Sequence, residues 1–273
     1  MNYCYSQQLG RNLLASRGDA DALAYVAAVR AAGGTVSGAQ QTAINTFYVD
    51  AKAGSYYTSL KRLYLPIWGV AAANAIDMIG LTSGTFNGSV THASGYVQGN
   101  GSTGYFDIGA SPISIGANNG SIHLHALLIA GGTGACGCIG SDDGSGSRSI
   151  IYARQDINDI YFQHANAATE IVNPATAPQG IVSAGWLSGS GFVAQRRASG
   201  RTVTTTSGSP AGTISPVNFY AMAHNITGIG PAYFVTQGMG AWGCGMGLSS
   251  ANDATFTLAL KNLWEQTSGL TLP

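Results

Sequence analysis

The sequence predicts a mainly β chain with flanking helices, arranged as an N-terminal helical segment, a two-sheet sandwich and a C-terminal helix. Three observations predict it. Helical periodicity with recognisable caps is confined to the first sixty or so residues and the last twenty. Between them lie about a dozen short β-type runs separated by Gly, Ser, Asn and Asp clusters, with no helical stretch among them. Two such runs flank Gly99-Asn100-Gly101-Ser102, and Asn-Gly between alternating runs is a strong hairpin signal.

The first helix is expected over Asp19 to Ala32. Asp19 and Asp21 sit where acids favour the positive helix end, and Gly33-Gly34 closes it. Leu23, Val26 and Ala27 form its apolar stripe. Ser37 then caps a second helix from about Ala39 to Ala53, carrying Ala43, Ile44, Phe47, Tyr48 and Ala51 and ending at Gly54. A third helix is expected over Ser55 to Leu63, presenting Tyr56, Leu60 and Leu63. A unit this small buries little alone, so it must pack on the following domain or on another chain. Leu23, Val26, Phe47, Tyr56 and Leu60 are therefore the expected assembly residues.

Pro66 stops the helical pattern, and Tyr64 to Gly69 reads as the first strand, with Pro66 at an edge or strand start. Ala71 to Ile79 reads as a helical turn or covering loop. Strands are then expected at 86–92, 96–98, 105–108, 121–130, 138–139, 149–154, 159–164, 181–187, 191–197, 201–206, 218–225 and 234–238. In the run from Ser121, alternation sets His123 and His125 on one face and Ile122, Leu124, Ala126 and Leu128 on the other. So many short strands without helices indicate a sandwich of jelly-roll type. A closing helix follows from Ser250 to Thr267, capped by Ser249 or Ser250 and closed by Gly269, with Phe256, Leu260, Leu263 and Trp264 as its stripe. The expected division is 1–65, 66–248 and 249–273.

Composition narrows the function. The 273 residues carry twelve basic and twelve acidic side chains, 9% charged in all, against about 25% in ordinary soluble proteins. With 39 glycines, this describes either a glycine-rich β protein with many turns or a surface covered by partners of one assembly. No Lys/Arg stripe exists to bind nucleic acid; Arg196-Arg197 and Arg201 form the basic cluster and are expected on a hairpin facing water. No apolar run approaches the roughly 18 to 20 residues of a membrane span. The first residues lack a basic region followed by an apolar core, so folding in a cytoplasm is expected. Cys4, Cys136, Cys138 and Cys244 are too scattered for a disulfide framework, and Cys136-Gly-Cys138 reads as small residues in a tight turn.

Three pieces of sequence resemble a known family. Asp19 to Tyr25, Gly33 to Ser37 and Gln41 to Asn45 resemble the helical start of phage and prophage virion proteins. Leu60-Lys61-Arg62-Leu63-Tyr64 resembles their link into a concanavalin A-like, laminin-G-like jelly roll. Ala71 to Asp77, Thr85 to Gly88 and Gly99 to Tyr105 resemble the opening of that sandwich. The resemblance implies a virion structural protein: a tail appendage or fibre, or a head decoration or head fibre. Its implied partners are other virion proteins, further copies of itself and a host surface glycan.

Chemistry is sparse. Glu170 and Glu265 are the only glutamates, and no paired-carboxylate strand of the glucanase kind occurs, so the chain is expected not to be an enzyme. A lectin-like module is the alternative, and a polysaccharide depolymerase the third reading. Asp142-Asp143-Gly144-Ser145 supplies oxygen ligands of the kind calcium takes, or a plain Asp-Gly turn. Asp107 is a further oxygen donor, as implied by the calcium-dependent relatives. His123 and His125, with His164 and His92, form either a metal pair or a solvent-facing or interface pair. Gly189-Ser190-Gly191 and Gly144-Ser145-Gly146 sit in turns, without a strand-to-helix elbow. Sugars stack on aromatic faces, so Trp68, Tyr105, Trp186 and Trp242, together with Tyr220 and Tyr233, are the glycan candidates, most of them also fitting core positions.

Overall fold

A computed structural model describes residues 18–129, 135–154, 159–165, 167–172, 178–208 and 210–273. Helix α1 (Ala20–Ala31) starts where the Asp19 side chain accepts the amides of Asp21 and Ala22. Helix α2 (Gly38–Ala53) starts at a capping box in which Ser37 and Gln40 each accept the other's backbone amide. The expected third helix is reduced to one 3-10 turn at Tyr57–Ser59, and strand β1 (Leu60–Tyr64) follows. Strand β1 lies before the expected boundary at residue 65, because its backbone completes a sheet edge that no local helix would satisfy. Helix α3 (Ala71–Asn74) is a single turn.

The remaining strands are β2 (Thr85–Asn87), β3 (Val90–Ala93), β4 (Tyr96–Gly99), β5 (Tyr105–Asp107), β6 (Ser121–Leu128), β7 (Ala135–Asp142), β8 (Arg148–Arg154), β9 (Asp159–His164), β10 (Ala167–Val172), β11 (Gly180–Leu187), β12 (Ser190–Arg197), β13 (Gly200–Ser207), β14 (Tyr220–Ala221), β15 (His224–Ile226), β16 (Gly230–Ala232) and β17 (Gly238–Gly245). Helix α4 (Ser250–Ser268) closes the chain, with Ser249 accepting the Asn252 amide and Gly269 in the left-handed conformation after it.

The strands form two sheets. The first runs β13-β12-β11-β6-β17-β4-β3, with β1 also on β17; the second runs β10-β9-β8-β7-β14-β5-β2, with β15 and β16 attached through β7. Pairing is antiparallel except between β15 and β7. The sequence-expected hairpin at Gly99 is instead a corner. Strand β4 pairs in the first sheet and β5 in the second. Asn100 Oδ1 accepts the amides of Ser102, Thr103 and Gly104, which turns the chain from one sheet to the other without a ladder between them.

The inner faces enclose one core. Ile122, Leu124, Ala126 and Leu128 of β6 meet Ile139, Ile151 and Phe162 of the second sheet, as the β6 alternation requires. A second core lies outside the first sheet, where Leu127, Ile181 and Ala241 pack against α1, α2 and α4. The molecule thus has three layers: helices, first sheet, second sheet. Trp264 donates its indole N–H to Gly95 O at 2.8 Å, and Gln40 donates to Thr267 O, tying α4 to the sheet and to α2.

Candidate functional site

With helices over the first sheet, the outer face of the second is the broad uncovered β surface. Alternation decides what it shows. Phe106, Ile151, Ile160, Phe162 and Ala221 point into the core. Their neighbours Tyr105, Tyr152, Tyr161 and Tyr220 therefore point outward and are half-buried. Across β9-β8-β7-β14-β5 these tyrosines form a stripe four strand steps wide, about 19 Å.

At one end Tyr105 and Tyr220 pack with ring centroids 4.5 Å apart, and Phe234 lies 6.5 Å from Tyr105. At the other, Tyr152 meets Tyr161 at 6.3 Å and Tyr233 edge-on at 5.5 Å. Tyr233 is 53% exposed, with φ +53°, a conformation that non-glycine residues adopt at a cost. Its carbonyl accepts the Gly137 amide at 2.8 Å, which fixes the turn. His224 fills the gap between the two ends. Its ring lies over Gly140, where a Cβ would come within 2.9 Å of it, so only glycine fits beneath.

The polar groups are set by these rings. Tyr152 Oη lies 2.7 Å from His224 Nδ1. His224 Nε2 faces Asp142 Oδ2 at 3.9 Å, and Asp142 pairs with Arg148 at 3.0 Å. Burial, and then the Arg148 charge, push the His224 pKa down to about 3, so the imidazole is neutral at neutral pH. Burial, with Tyr105 and Asp107 adding, pushes Tyr220 up to about 12. Burial also pushes Tyr152 well above the ordinary phenol value. The face therefore offers protonated phenols, ring planes and a compensated Arg–Asp pair. That is the chemistry of a hydroxyl-rich ligand with apolar ring faces, stacked and hydrogen-bonded at once.

The remaining sequence candidates are placed as follows. Trp68, Trp186 and Trp242 are buried and offer no face to a sugar. Trp68 donates to Tyr25 at 3.2 Å, while Trp186 and Trp242 belong to the core between the sheets. Large aromatic side chains gain more from a sandwich interior than from its rim, which is why composition alone misplaces them. Tyr105 and Tyr220 lie half-buried on the outer face, and Tyr233 is exposed beside it. Tyr152, Tyr161 and His224 were missed as site residues, although the period-2 pattern of β8 and β9 sets both tyrosines on the outer face.

The carboxylates do not converge. Asp142 accepts the Gly144 amide, Asp143 accepts from Ser145 and Ser147, and Asp107 accepts from Gly109 and Asn218. Among the described residues no group of three or more His, Cys, Asp or Glu side chains is placed to hold a metal ion. Asp142-Asp143-Gly144 is an Asp-Gly turn joining β7 and β8. The Glu170 side chain lies outside the described residues; Glu265 pairs with Lys261 and accepts the Leu272 amide.

Of the assembly residues, Val26, Phe47, Tyr56 and Leu60 are buried in the core between helices and first sheet, so they hold this chain together rather than facing another. Leu23 is exposed and borders a shallow cavity of about 400 Å³ with Gly18, Gln41 and Asn45. Cys138 lies inside β7 rather than in a turn, and Cys244 is buried in β17.

His123 and His125 are fully buried and do not face solvent. They lie side by side, ring centroids 5.3 Å apart, beneath Phe256 of α4. His123 Nε2 meets Asp253 Oδ1 at 3.0 Å; Asp253 Oδ2 accepts from Ser183 at 3.0 Å and from Arg201 at 2.8 Å. Arg196 donates to Thr257 Oγ1 and Ala254 O. Arg196 and Arg201 of the basic cluster expected to face water are thus turned onto α4, while Arg197 donates to Gln179 Oε1 at 3.2 Å.

No family model matches the sequence. No curated protein matches it either. Solved structures do show similar folds. The enzymatically active domain of tailspike protein 2 of bacteriophage CBA120 matches at 11% identity and a TM-score of 0.43, over 65% of this chain and 29% of that one. A Trypanosoma rangeli sialidase mutant displaying trans-sialidase activity matches at 10% identity and a TM-score of 0.49, over 81% and 39%. The carbohydrate-binding module CBM40 of a Ruminococcus gnavus IT-sialidase, bound to α2,3-sialyllactose, matches at 11% and a TM-score of 0.40, over 65% and 96%. The chain spans about a third of the length of the first two. These matches correct one expectation. The sequence reading held the chain not to be an enzyme, yet an enzymatically active tailspike domain and a sialidase are among the similar structures, so that reading is withdrawn.

Proposed function

We propose that this chain is a surface component of a phage particle that contacts carbohydrate through the outer face of its second sheet. The observation that carries the reading is the uncovered tyrosine stripe: Tyr105 and Tyr220 at one end, Tyr152, Tyr161 and Tyr233 at the other, with neutral His224 between them. A covered first sheet leaves this face as the broad side free to meet a ligand. The sequence resemblance to concanavalin A-like virion proteins supplies the setting, in a tail appendage or a head decoration, with other virion proteins as neighbours.

Binding to an array of bacterial surface polysaccharides tests it. Tyr233→Ala and Tyr105→Ala should each weaken binding by about tenfold, the equivalent of 1.4 kcal/mol. Leu258→Ala, on the exposed side of α4, should leave it unchanged. The array is run with and without a chelator, since Asp107, Asp142 and Asp143 would make calcium the cation of a lectin reading. Absence of binding in both conditions sinks the proposal. Release of reducing ends from a bound polysaccharide would move the chain to the depolymerase reading.

A further inference from the structure

The first sheet ends in β13. Strand β13 pairs with β12 along its whole length without a bulge, from Gly200 opposite Arg197 to Ser207 opposite Ser190. Among the described residues no strand pairs with its other side. Six of its eight residues are exposed, Val203 at 40%. Alternate residues of such a strand turn their N–H and C=O groups away from their partner, leaving a row of open hydrogen-bonding groups. Proteins usually blunt such edges with Lys, Pro, a bulge or a very short strand. Gly-Arg-Thr-Val-Thr-Thr-Thr-Ser has none of these. Its single charge, Arg201, is turned away onto Asp253 and Ser250. By contrast β3, at the other end of the sheet, has four residues, and β2, which ends the second sheet, has three.

We infer that β13 is a self-association edge, pairing antiparallel with β13 of a second copy of this chain about a twofold axis. The strand is complementary to itself. With the axis through Val203, Val203 faces Val203 of the other copy, Thr202 faces Thr204, and Arg201 faces Thr205. β-Branched residues then meet β-branched residues, and no like charges oppose one another. The same patch serves both copies, which closes the contact as a dimer and joins the two eight-stranded sheets into one. A chain with 9% charged residues also has little charge repulsion to keep two such edges apart.

Light scattering on the full chain over a micromolar concentration series tests this, paired with amide exchange. The expected result is a dimer in which the alternate β13 amides that point away from β12 gain protection as concentration rises. The double variant Val203→Lys/Thr204→Lys sets Lys against Lys across the axis and should raise the dimer dissociation constant by about tenfold or more. An unchanged thermal melt shows that it folds, and the exchange of the wild-type chain reads the edge without any substitution. A monomer at every concentration overturns the inference. So does an oligomer that persists in the Lys variant, or one whose β13 amides stay unprotected, since either places the contact elsewhere, on the helices or on a different protein.

Discussion

Asp253 shows how one side chain organises a layer. Fully buried, it receives His123, Ser183 and Arg201, and so holds α4 to three strands of the first sheet. Asp253→Ala leaves the Arg201 charge and two polar groups without their acceptor, and should cost about 3–5 kcal/mol in denaturant unfolding. The histidines make a second test. Burial holds His92, His125, His164 and His224 below the ordinary imidazole range, with the His123 neighbour adding at His125 and the Arg148 charge at His224. Each takes up its proton less readily in the fold than in the unfolded chain, which protonates below about pH 6.5. The unfolded state then binds more protons, so stability is complete above that pH and is lost as pH falls, for His224 down to about 3. A thermal melt series from pH 7 to pH 4 should show a steady fall in Tm, on the order of 1 kcal/mol per pH unit for each fully buried histidine.

At the scale of elements, α4 depends on its stripe and its cap. Trp264→Ala removes a fully buried indole and its bond to Gly95 O, and should cost about 3–5 kcal/mol. Ser249→Ala removes the cap of the same helix and should cost about 1 kcal/mol by the same measurement. Helix ends were legible in the sequence because caps are local: Asp19, Ser37, Gly54, Ser249 and Gly269 all stand where the structure uses them. Elements fixed by distant partners were not. Leu60–Tyr64 carries a helical pattern yet becomes a strand against Gly243 and Trp242. Strand β17, Gly-Met-Gly-Ala-Trp-Gly-Cys-Gly, starts where the run expected at 234–238 ends. Its glycines are there for space: a Cβ at Gly243 would strike Arg62 O and the His125 ring, and one at Gly240 the Trp264 indole. The candidate site was legible in part. Tyr105, Tyr220 and Tyr233 stand out as aromatics among turn residues, but which tryptophans face outward depends on sheet pairing that no local pattern encodes.

The whole molecule has two unlike broad sides. Helices seal the first sheet, whose outer residues Leu127, Ile181 and Ala241 are apolar, while the second sheet meets solvent with tyrosines. Ending the chain after Gly247 would strip α4 from that apolar side, and the product should collect in the insoluble fraction while the full chain stays in solution. The arrangement of the first sheet has a further result. Strand β17 lies between β6 on one side and β1 and β4 on the other, so partners from residues 60–64, 96–99 and 121–128 all wait for residues 238–245. A ribosome must therefore release residues 238–245 before the central strand can be laid in. Until then β1, β4 and β6 stand with their β17 edges open, and the first sheet closes only when its last strand arrives.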